Sequence, residues 1–271
     1  MSTTPSSAAR EASSNARVDP FHLQKYFAPL RVVDVCDALD GIGYFNIGLV
    51  SPEIRPLWAG MRFWGAAFTV RCVPANKPMW TLPTTEQIVD SHDIWFKEVG
   101  LGAWRFYDQL RPGHVVVTDT GSAGPVGLWG SENTLRAVQA GAVGIVTNGE
   151  CRDSGELLQQ KTPICSRGVA RTIIPGRIEI LETQTTVGFG GAQVRPGDIV
   201  GCDDDGIVVV PLEVAAIVAH HAREILLADM RKREKHYAKL GIHTDDSVDV
   251  AKIEQYYAAL EREGSSGANV R

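Results

Sequence analysis

The sequence predicts an α/β fold, and three observations support that prediction. Residues 114 to 147 run as a strand, a glycine-rich loop, a helix and a second strand, the order of a right-handed βαβ unit. An Arg-Pro-Gly turn precedes a β-branched strand twice, at residues 111 to 119 and again at 195 to 203. Apolar residues recur at helical spacing near both ends of the chain.

The N-terminal third predicts helices followed by one strand. Residues 20 to 40 have helical periodicity, which Pro29 divides into two short helices, and Gly41 and Gly43 end the second. Residues 60 to 73 are rich in β-formers and predict a strand. Residues 82 to 110 predict a helical pair, whose aromatic part around Trp95 and Trp104 forms a lid over a pocket, a piece of core or a subunit interface.

The middle of the chain contains the predicted βαβ unit. Strands are expected at 114 to 119 and 142 to 147, with a loop at 120 to 130 and a helix at 131 to 140 whose N-cap is Ser131. The second strand leads through an Asn-Gly turn to Arg152 and Asp153. Ligands of such units bind near the carboxyl ends of the strands, so this pair stands where a ligand is expected.

The remaining elements and the domain limits follow from the same patterns. Strands are expected at 163 to 170, 186 to 188, 198 to 202 and 206 to 210, and helices at 213 to 239 and 248 to 262. We expect a flexible tail over residues 1 to 18, one domain over 19 to 240, and a C-terminal helical extension with a loose end over 241 to 271.

Composition excludes several classes of function. A net charge of −5 and a pI of about 5.8 give no general attraction for nucleic acid. No apolar run approaches 18 residues, which argues against a membrane span, and the first residues lack the apolar stretch of a secretion signal. The five widely spaced cysteines predict reduced, mostly buried thiols in a cytoplasmic protein.

Two groups of residues carry the candidate chemistry. Gly127 and Gly130 allow close approach to a ligand at a helix N-terminus, which favours an anion, although a plain capped helix has the same pattern. Arg152 and Asp153 form either a surface ion pair or a site in which the guanidinium grips a carboxylate and the carboxylate holds Mg²⁺ or Mn²⁺.

Several motifs together resemble the RraA-like family, which includes the class II 4-hydroxy-4-methyl-2-oxoglutarate aldolases and the regulator of ribonuclease activity A. The resemblance covers roughly residues 30 to 240. It rests on DVCDALDGIG, RPGHVVVTD, GLWGS followed twenty residues later by Arg152 and Asp153, AGAVGIVTNGECRD, and RPGDIVGCDDDGIVVVP. Each motif alone is weak, and the combination is specific.

The resemblance implies a three-layer β/β/α core related to swivelling phosphohistidine domains, with N-terminal helices and a long C-terminal helix, assembled as a homotrimer or homohexamer. It also implies that Asp153 holds Mg²⁺ (or Mn²⁺), largely through water, and that Arg152 contacts a pyruvate-like group. The substrate carboxylate would lie on backbone amides of Gly130, Ser131, Glu132 and Asn133.

The sequence departs from the family pattern at two positions. Ser131 stands where the aldolases usually carry Asp or Glu; Glu132 is adjacent, but one step along a helix turns a side chain by about 100°. Asn148 stands where Asp is common. The family also implies a glutamate from a neighbouring subunit, for which Asp229 is the nearest match and Glu224 the second, unless both are solvated acids.

Other polar residues have weaker interpretations. Asp119 and Asp37 are candidates to support the site, although Asp37 could equally cap a helix. The run from Asp203 to Asp205 predicts a turn rather than a metal cluster, and the seven histidines show no zinc-binding spacing.

The sequence therefore predicts a divalent-metal-dependent lyase that cleaves or decarboxylates a small 2-oxo acid, with the cation stabilising an enolate. A Schiff-base mechanism is the competing lyase chemistry, with Lys161 the lysine nearest the Arg-Asp pair in sequence. A function of a different class, a non-catalytic regulator that binds a ribonuclease or another protein, is the alternative.

Overall fold

The structure is a computed structural model that describes residues 18–77, 84–90, 103–121 and 124–267. The predicted N-terminal tail and the end of the C-terminal tail lie outside these residues. So does about half of the predicted helical pair over 82 to 110, including Trp95. Of that segment the structure describes helix α3 (Thr85–Val89) and a 3-10 helix (Ala103–Gln109). Phe106 and Tyr107, near the end of that segment, are buried in the core. The predictions for the part around Trp95 and Trp104 stay predictions.

The N-terminal segment folds as short helices, as the sequence predicts. Helix α1 (Pro20–Leu23) continues into a 3-10 helix (Gln24–Phe27), and helix α2 spans Val32–Gly41. The chain breaks between them next to Pro29. Asp34 accepts a hydrogen bond from the Arg31 N–H at 3.1 Å, and Asp203 accepts one from the Val32 N–H at 2.8 Å, so two carboxylates satisfy the first N–H groups of α2.

A large mixed sheet forms the centre of the molecule. Its strands in chain order are β1 (Arg55–Pro56), β2 (Phe63–Pro74), β3 (His114–Asp119), β5 (Ala142–Thr147), β7 (Ile164–Ser166), β9 (Ile178–Thr183), β12 (Ile199–Asp203) and β13 (Gly206–Val210). The spatial order is β1-β7-β5-β3-β2-β12-β13, with β9 paired to β2. The sheet is nearly closed, because β1 and β13 at the two ends of this order approach each other.

The predicted βαβ unit is present. Strands β3 and β5 pair in parallel, and helix α4 (Ser131–Gln139) connects them. The segment predicted as a loop over 120 to 130 also contains a short strand, β4 (Gly127–Trp129). It pairs in parallel with β6 (Glu150–Cys151), which pairs in parallel with β8 (Gly168–Val169). This small parallel sheet lies beside the main one and carries the candidate site.

The sequence also did not predict strand β9 or the second strand of a short hairpin. Strand β9 covers residues to which the sequence pattern assigned no element, and the hairpin of β10 (Val187–Phe189) and β11 (Ala192–Val194) has only its first strand in the prediction. Only the first half of β9 alternates between buried and partly exposed positions, so the period-2 signal of a half-buried strand is weak there.

Alternate residues of the central strands face two different cores. Phe68, Val70 and Val116 pack towards the small sheet and α4, whereas Ala67 and Val115 face the interior of the nearly closed sheet. A third core lies between the large sheet, the N-terminal helices and the C-terminal helices. Burial of an aliphatic or aromatic side chain contributes about 1.5–3 kcal/mol each. The small sheet is therefore fixed against the main sheet by a shared apolar layer.

Two helices follow the last strand, as predicted. Helix α6 spans Ala215–Leu240 and ends at Gly241, whose φ of 67° suits a left-handed cap. Helix α7 spans Val250–Gly267 and packs against the N-terminal segment, where Tyr257 donates a hydrogen bond to the Tyr26 carbonyl oxygen at 2.9 Å. Helix α5, at the candidate site, spans Ser154–Gln160. No helix in the described ranges has the combined length and apolar character needed to cross a membrane.

Candidate active site

The site forms where two neighbouring parallel strands end. Trp129 of β4 lies opposite Cys151 of β6, so the residues that follow each strand meet at one edge of the small sheet. Gly130 then begins α4 as its N-cap, and Asp153 begins α5 as its N-cap. The prediction that Ser131 is the N-cap of α4 is wrong, because Ser131 is already the first helical residue and its side chain turns to Asp153 instead.

Asp153 is held by donors from both strand ends. Its Oδ2 accepts hydrogen bonds from the Ser131 N–H at 3.0 Å and from the Ser131 hydroxyl at 3.2 Å. Its Oδ1 accepts one from Arg152 Nε at 3.1 Å. Partial burial raises the pKa of Asp153, but the bonds from Ser131 and Arg152 together hold it below the ordinary value of 3.8. Asp153 is therefore an anion at neutral pH.

The backbone of Asp153 is unusual for a residue with a side chain. Its φ of 55° and ψ of 41° lie in the left-handed region, which Asp tolerates better than most residues. Strained backbone of this kind persists where the surrounding structure fixes it, and it is common at functional sites. Here it turns the carboxylate back towards α4 rather than along α5.

The two glycines make room for Arg152 and Asp153. A Cβ atom on Gly130 would lie 2.6 Å from Asp153 Oδ2, and one on Gly127 would lie 2.8 Å from the Thr172 carbonyl oxygen and 3.0 Å from the Arg152 Cβ. From the sequence, this freedom was expected to serve a bound ligand. In the structure, the side chains of the Arg-Asp pair occupy the space instead.

One cavity of about 250 Å³ brings most of the predicted site residues together. Its walls are Gly127, Gly130, Glu132, Asn133, Arg152, Asp153 and Ile174. Ile174 is an apolar wall that could not be expected from the sequence, because it lies 21 residues beyond the Arg-Asp pair without any polar signal. The side chains of Arg152 and Asp153 are 32% and 31% exposed, so a ligand in the cavity can reach both.

At the N-terminus of α4, one backbone amide has a different acceptor from the one predicted. The Ser131 N–H, expected to hold a substrate carboxylate, donates to the protein's own Asp153. Glu132 and Asn133 lie in the first turn of α4, where backbone N–H groups have no acceptor within the helix, and both line the cavity. Glu132 is exposed and is the second carboxylate at the cavity wall.

Asp119 and Asn148 form a separate polar pair behind the site. Asn148 Nδ2 donates to Asp119 Oδ1 at 2.7 Å, and Asn148 Oδ1 accepts from the Thr120 N–H at 2.7 Å. An asparagine suits this arrangement, because its side chain donates on one side and accepts on the other. The pair ties together the ends of β3 and β5.

Most of the remaining candidates lie elsewhere in the chain. Asp229 is 42% exposed and pairs with Arg31 at 3.6 Å and Lys232 at 3.5 Å, while Glu224 lies 4.0 Å from Arg223. Both were assigned to a neighbouring subunit's site, and that assignment stays a prediction. Asp37 lies exposed within α2, so it does not cap that helix.

Three further groups do not line the cavity, namely the aspartate run from Asp203 to Asp205, Lys161 and the five cysteines. Asp203 to Asp205 end β12 and turn into β13, as expected, and the carboxylates of Asp203 and Asp204 accept backbone N–H groups. Lys161 is exposed, with its ammonium group 5.0 Å from the Trp58 ring centre, and it does not line the cavity. All five cysteines are free thiols, and four of them are buried.

The donor set at the cavity fits a hard divalent cation that keeps several water ligands. The described residues contain no group of three or more His, Cys, Asp or Glu side chains arranged to enclose a metal ion. Mg²⁺, however, is usually held through one or two carboxylates, with water and substrate oxygens completing its octahedron. Asp153, with Glu132 on the same cavity wall, matches that requirement.

Comparisons with known proteins agree with this architecture. The family model described as "RraA-like: Aldolase/RraA" matches residues 32–209. Protein DlpA of Legionella pneumophila is 26% identical over 198 residues, which are 73% of this chain but only 29% of DlpA. A Deinococcus radiodurans protein named "Putative 4-hydroxy-4-methyl-2-oxoglutarate aldolase" is 29% identical over 61% of this chain and 88% of its own.

A solved structure shares the fold. RraAS2 of Streptomyces coelicolor, described as an unusual member of the RNase ES inhibitor RraA protein family, superposes with a TM-score of 0.64 at 21% identity. The superposition covers 81% of this chain and 98% of that one. The family match spans most of the chain and includes the Arg-Asp pair, the glycine turn and nearly all of the main sheet. The chain therefore belongs to the RraA-like family.

Proposed function

We propose that this protein is a divalent-metal-dependent lyase for a small 2-oxo acid, which it cleaves by retro-aldol chemistry or decarboxylates as it would oxaloacetate. The convergence of Arg152, Asp153 and the N-terminus of α4 on one cavity carries the proposal. This arrangement provides a guanidinium, an ionised carboxylate and backbone N–H groups within one small space. A 2-oxo acid presents a carboxylate and a keto oxygen that these groups can recognise.

The size of the cavity favours a small substrate. A volume of about 250 Å³ lies below the range of about 300–1,000 Å³ for sites that bind drug-sized ligands. The cavity walls are mostly polar or glycine, and Ile174 supplies the apolar contact. A compact, charged acid with few carbons satisfies both features.

Arg152 and the first turn of α4 bind and orient the substrate carboxylate in this proposal. Arg152 Nε donates to Asp153, which leaves the terminal Nη atoms of the guanidinium directed away from that bond and able to form a bidentate pair with a carboxylate. The helix N-terminus adds a partial positive charge at the same wall. The protein therefore holds the substrate by its carboxylate end, and the carbon–carbon bond that breaks lies towards the opposite end.

Asp153 would hold the cation, and Glu132, the second carboxylate at the cavity wall, would carry the proton. When bound, a divalent cation supplies positive charge beside the keto oxygen, where negative charge develops as the carbon–carbon bond breaks. Glu132 accepts the proton of the 4-hydroxyl group as the C3–C4 bond breaks, and the electron pair of that bond becomes an enolate. The same proton returns to C3, so the products are a free carbonyl compound and a shorter 2-oxo acid.

A non-catalytic regulator is the second candidate, and one observation favours it. Both carboxylate oxygens of Asp153 already accept hydrogen bonds from the protein, so the site is satisfied without any ligand. Ser131 takes part in this arrangement at the position where the family's aldolases usually have a carboxylate. A surface of this kind could contact a protein partner instead of a substrate, as the description of RraAS2 suggests for that protein.

An assay of pyruvate release tests the proposal. The full-length chain is supplied with 4-hydroxy-2-oxo acids and with oxaloacetate, before and after EDTA, and after readdition of Mg²⁺ or Mn²⁺. We expect turnover that EDTA abolishes and either cation restores. Asp153→Ala should lose turnover, while Glu156→Ala, an exposed acid on α5, should retain it.

Three further outcomes separate the competing mechanisms. Turnover that survives complete chelation contradicts the metal, and trapping of a substrate adduct by borohydride indicates a Schiff base instead. No release of pyruvate from any substrate, together with capture of a ribonuclease that Asp153→Ala leaves intact, favours the regulator.

A further inference from the structure

A second cavity lies between the N-terminal segment, α6, and α7 together with the segment that leads into it. Its volume is about 600 Å³, more than twice that of the Asp153 cavity. Part of its wall is apolar and consists of Pro29, Leu226, Met230, Ile253 and Tyr256. Four cations also line it, namely Arg31, Arg62, Arg233 and Lys252, against one acid, Asp246. The cavity is thus both apolar and rich in positive charge.

Two of the four cations are neutralised by nearby carboxylates. Arg31 pairs with the buried Asp34 through its guanidinium and lies 3.6 Å from Asp229. Lys252 Nζ lies 2.5 Å from Asp246 Oδ2, so the one acid in the cavity wall is itself paired. Arg31 and Lys252 therefore add little net positive charge to the cavity.

The other two cations have no such neutralisation. Arg62 donates to the Leu30 carbonyl oxygen, and Arg233 Nη2 donates to the Ser247 carbonyl oxygen at 3.0 Å. Within the described ranges, no carboxylate lies within 4.0 Å of either guanidinium. Asp34, Asp203 and Asp245 act on them only from longer distance.

Arg233 also carries an unsatisfied donor. Its Nε atom is buried and has no hydrogen-bond partner among the described residues. A buried donor without an acceptor is unfavourable, and a guanidinium without a counter-ion is more so. An anion in the cavity beside Arg233 and Arg62 would supply the missing counter-charge to both guanidinium groups.

We propose that this cavity binds a small organic anion, with a carboxylate or phosphate head on Arg62 and Arg233 and an apolar body against Met230, Ile253 and Tyr256. Arginine suits both head groups, because its planar fork donates two parallel hydrogen bonds to either. The apolar wall selects against a bare inorganic ion, since only an organic ligand covers it.

This site is distinct from the Arg152 and Asp153 cavity, with which it shares no residue. Of the residues that line it, only Arg62 lies within residues 32–209, which match the family model. Apart from Arg62, the site is therefore built from segments outside the family match, and it does not depend on the lyase proposal.

Calorimetry on the full-length chain tests the site. The probes are phenyl phosphate and phenylacetate, with benzyl alcohol as a neutral probe and inorganic phosphate as a head group alone. All titrations use the Arg152→Gln variant, which removes the guanidinium of the other cavity. We expect saturable binding of one organic anion per chain, weaker binding of inorganic phosphate and no binding of benzyl alcohol. The tighter of the two organic anions identifies the head group.

Single substitutions then locate the binding. Arg233→Gln and Arg62→Gln should each weaken it by about tenfold or more, because each removes a charge-assisted hydrogen bond. Arg231→Gln is the matched control, since Arg231 lies on the same helix, pairs with Glu254 at 2.9 Å and does not line the cavity. Circular dichroism checks that each variant folds. If either Arg233→Gln or Arg62→Gln does not fold, the affinity of the other variant tests the proposal. Absence of binding, or equal weakening by Arg231→Gln, overturns the proposal.

Discussion

The hydroxyl and the backbone N–H of Ser131 both donate to the same oxygen of Asp153, at 3.2 and 3.0 Å. This relationship links the start of α4 to the start of α5 and leaves the other oxygen of Asp153 to Arg152. It also explains how a serine can stand next to the candidate metal ligand. Ser131 stabilises the ionised form of Asp153 rather than adding a second negative charge.

Ser131→Ala should raise the pKa of Asp153, because it removes the hydroxyl donor and leaves the backbone N–H. In the wild type this pKa lies below 3.8, so the ionised form of Asp153 stabilises the fold above pH 3.8. That contribution is lost as the pH falls through the lower, folded-state pKa. A ¹³C NMR titration of the carboxyl carbon measures the change. Ser154→Ala is the control, and an unchanged pKa in Ser131→Ala would refute the role of the hydroxyl.

Gly130→Ala should reduce turnover by about 10- to 100-fold, because the added Cβ, 2.6 Å from Asp153 Oδ2, displaces the carboxylate. The backbone itself accepts alanine, since φ of Gly130 is −100°. Steady-state kinetics measure the loss. Gly155→Ala on α5 is the matched control, because its Cβ would meet no atom within 4 Å. Equal kinetics for both variants would mean that the position of Asp153 is unimportant.

Asn148→Asp should destabilise the fold at pH 7 by about 1–3 kcal/mol, because it replaces a hydrogen bond to Asp119 with a second carboxylate. Urea unfolding measures the change in the free energy of unfolding. The loss should shrink at acidic pH, where the pair retains a proton. Exchange of both residues, Asp119→Asn with Asn148→Asp, restores a donor and an acceptor and should recover most of the stability. No recovery would contradict the pairing.

His114 makes the stability of the fold dependent on pH. Burial and then the nearby Arg111 lower the pKa of His114 from 6.5 to about 4. Between these values the unfolded chain binds a proton that the folded chain does not, so stability is full above pH 6.5 and falls towards pH 4. We expect a loss of roughly 2 kcal/mol from pH 7 to pH 5 from this group.

Urea unfolding at pH 7 and pH 5 measures this slope in the wild type and two variants. His114→Asn keeps an acceptor for the Arg111 N–H, which donates to His114 Nδ1 at 2.9 Å, and should flatten the slope. His243→Gln replaces an exposed histidine and should leave the slope as it is. If both variants keep the wild-type slope, His114 is not its source.

Much of the fold could be predicted from the sequence, because strong periodic patterns carry it. The β-branched run before Asp119 and the long helix from Ala215 to Leu240 are clear examples. Strand β4 could not be predicted, since it has three residues inside a glycine-rich loop and exists only because β6 pairs with it. The hydrogen bonds from Ser131 to Asp153 depend on that pairing. The prediction that Ser131 is the N-cap of α4 was wrong for the same reason.

The candidate sites differ in how much of them the sequence reveals. The Arg-Asp pair stands out because both residues are adjacent and follow a buried strand. Ile174 gives no such signal, because an apolar residue in a loop is common. The cavity at Arg62 and Arg233 joins four separate segments of the chain, and only their packing places the two arginines on the wall of one cavity.

A crystal structure with Mn²⁺ and oxalate shows whether Asp153 and Arg152 form a metal and substrate site, because Mn²⁺ is identified by its anomalous scattering and oxalate resembles a pyruvate enolate. We expect a Mn²⁺ peak beside the carboxylate of Asp153, with oxalate in the same cavity and one of its carboxylates on Arg152. Oxalate in that cavity without Mn²⁺ at Asp153, or both ligands bound only elsewhere on the protein, would contradict it.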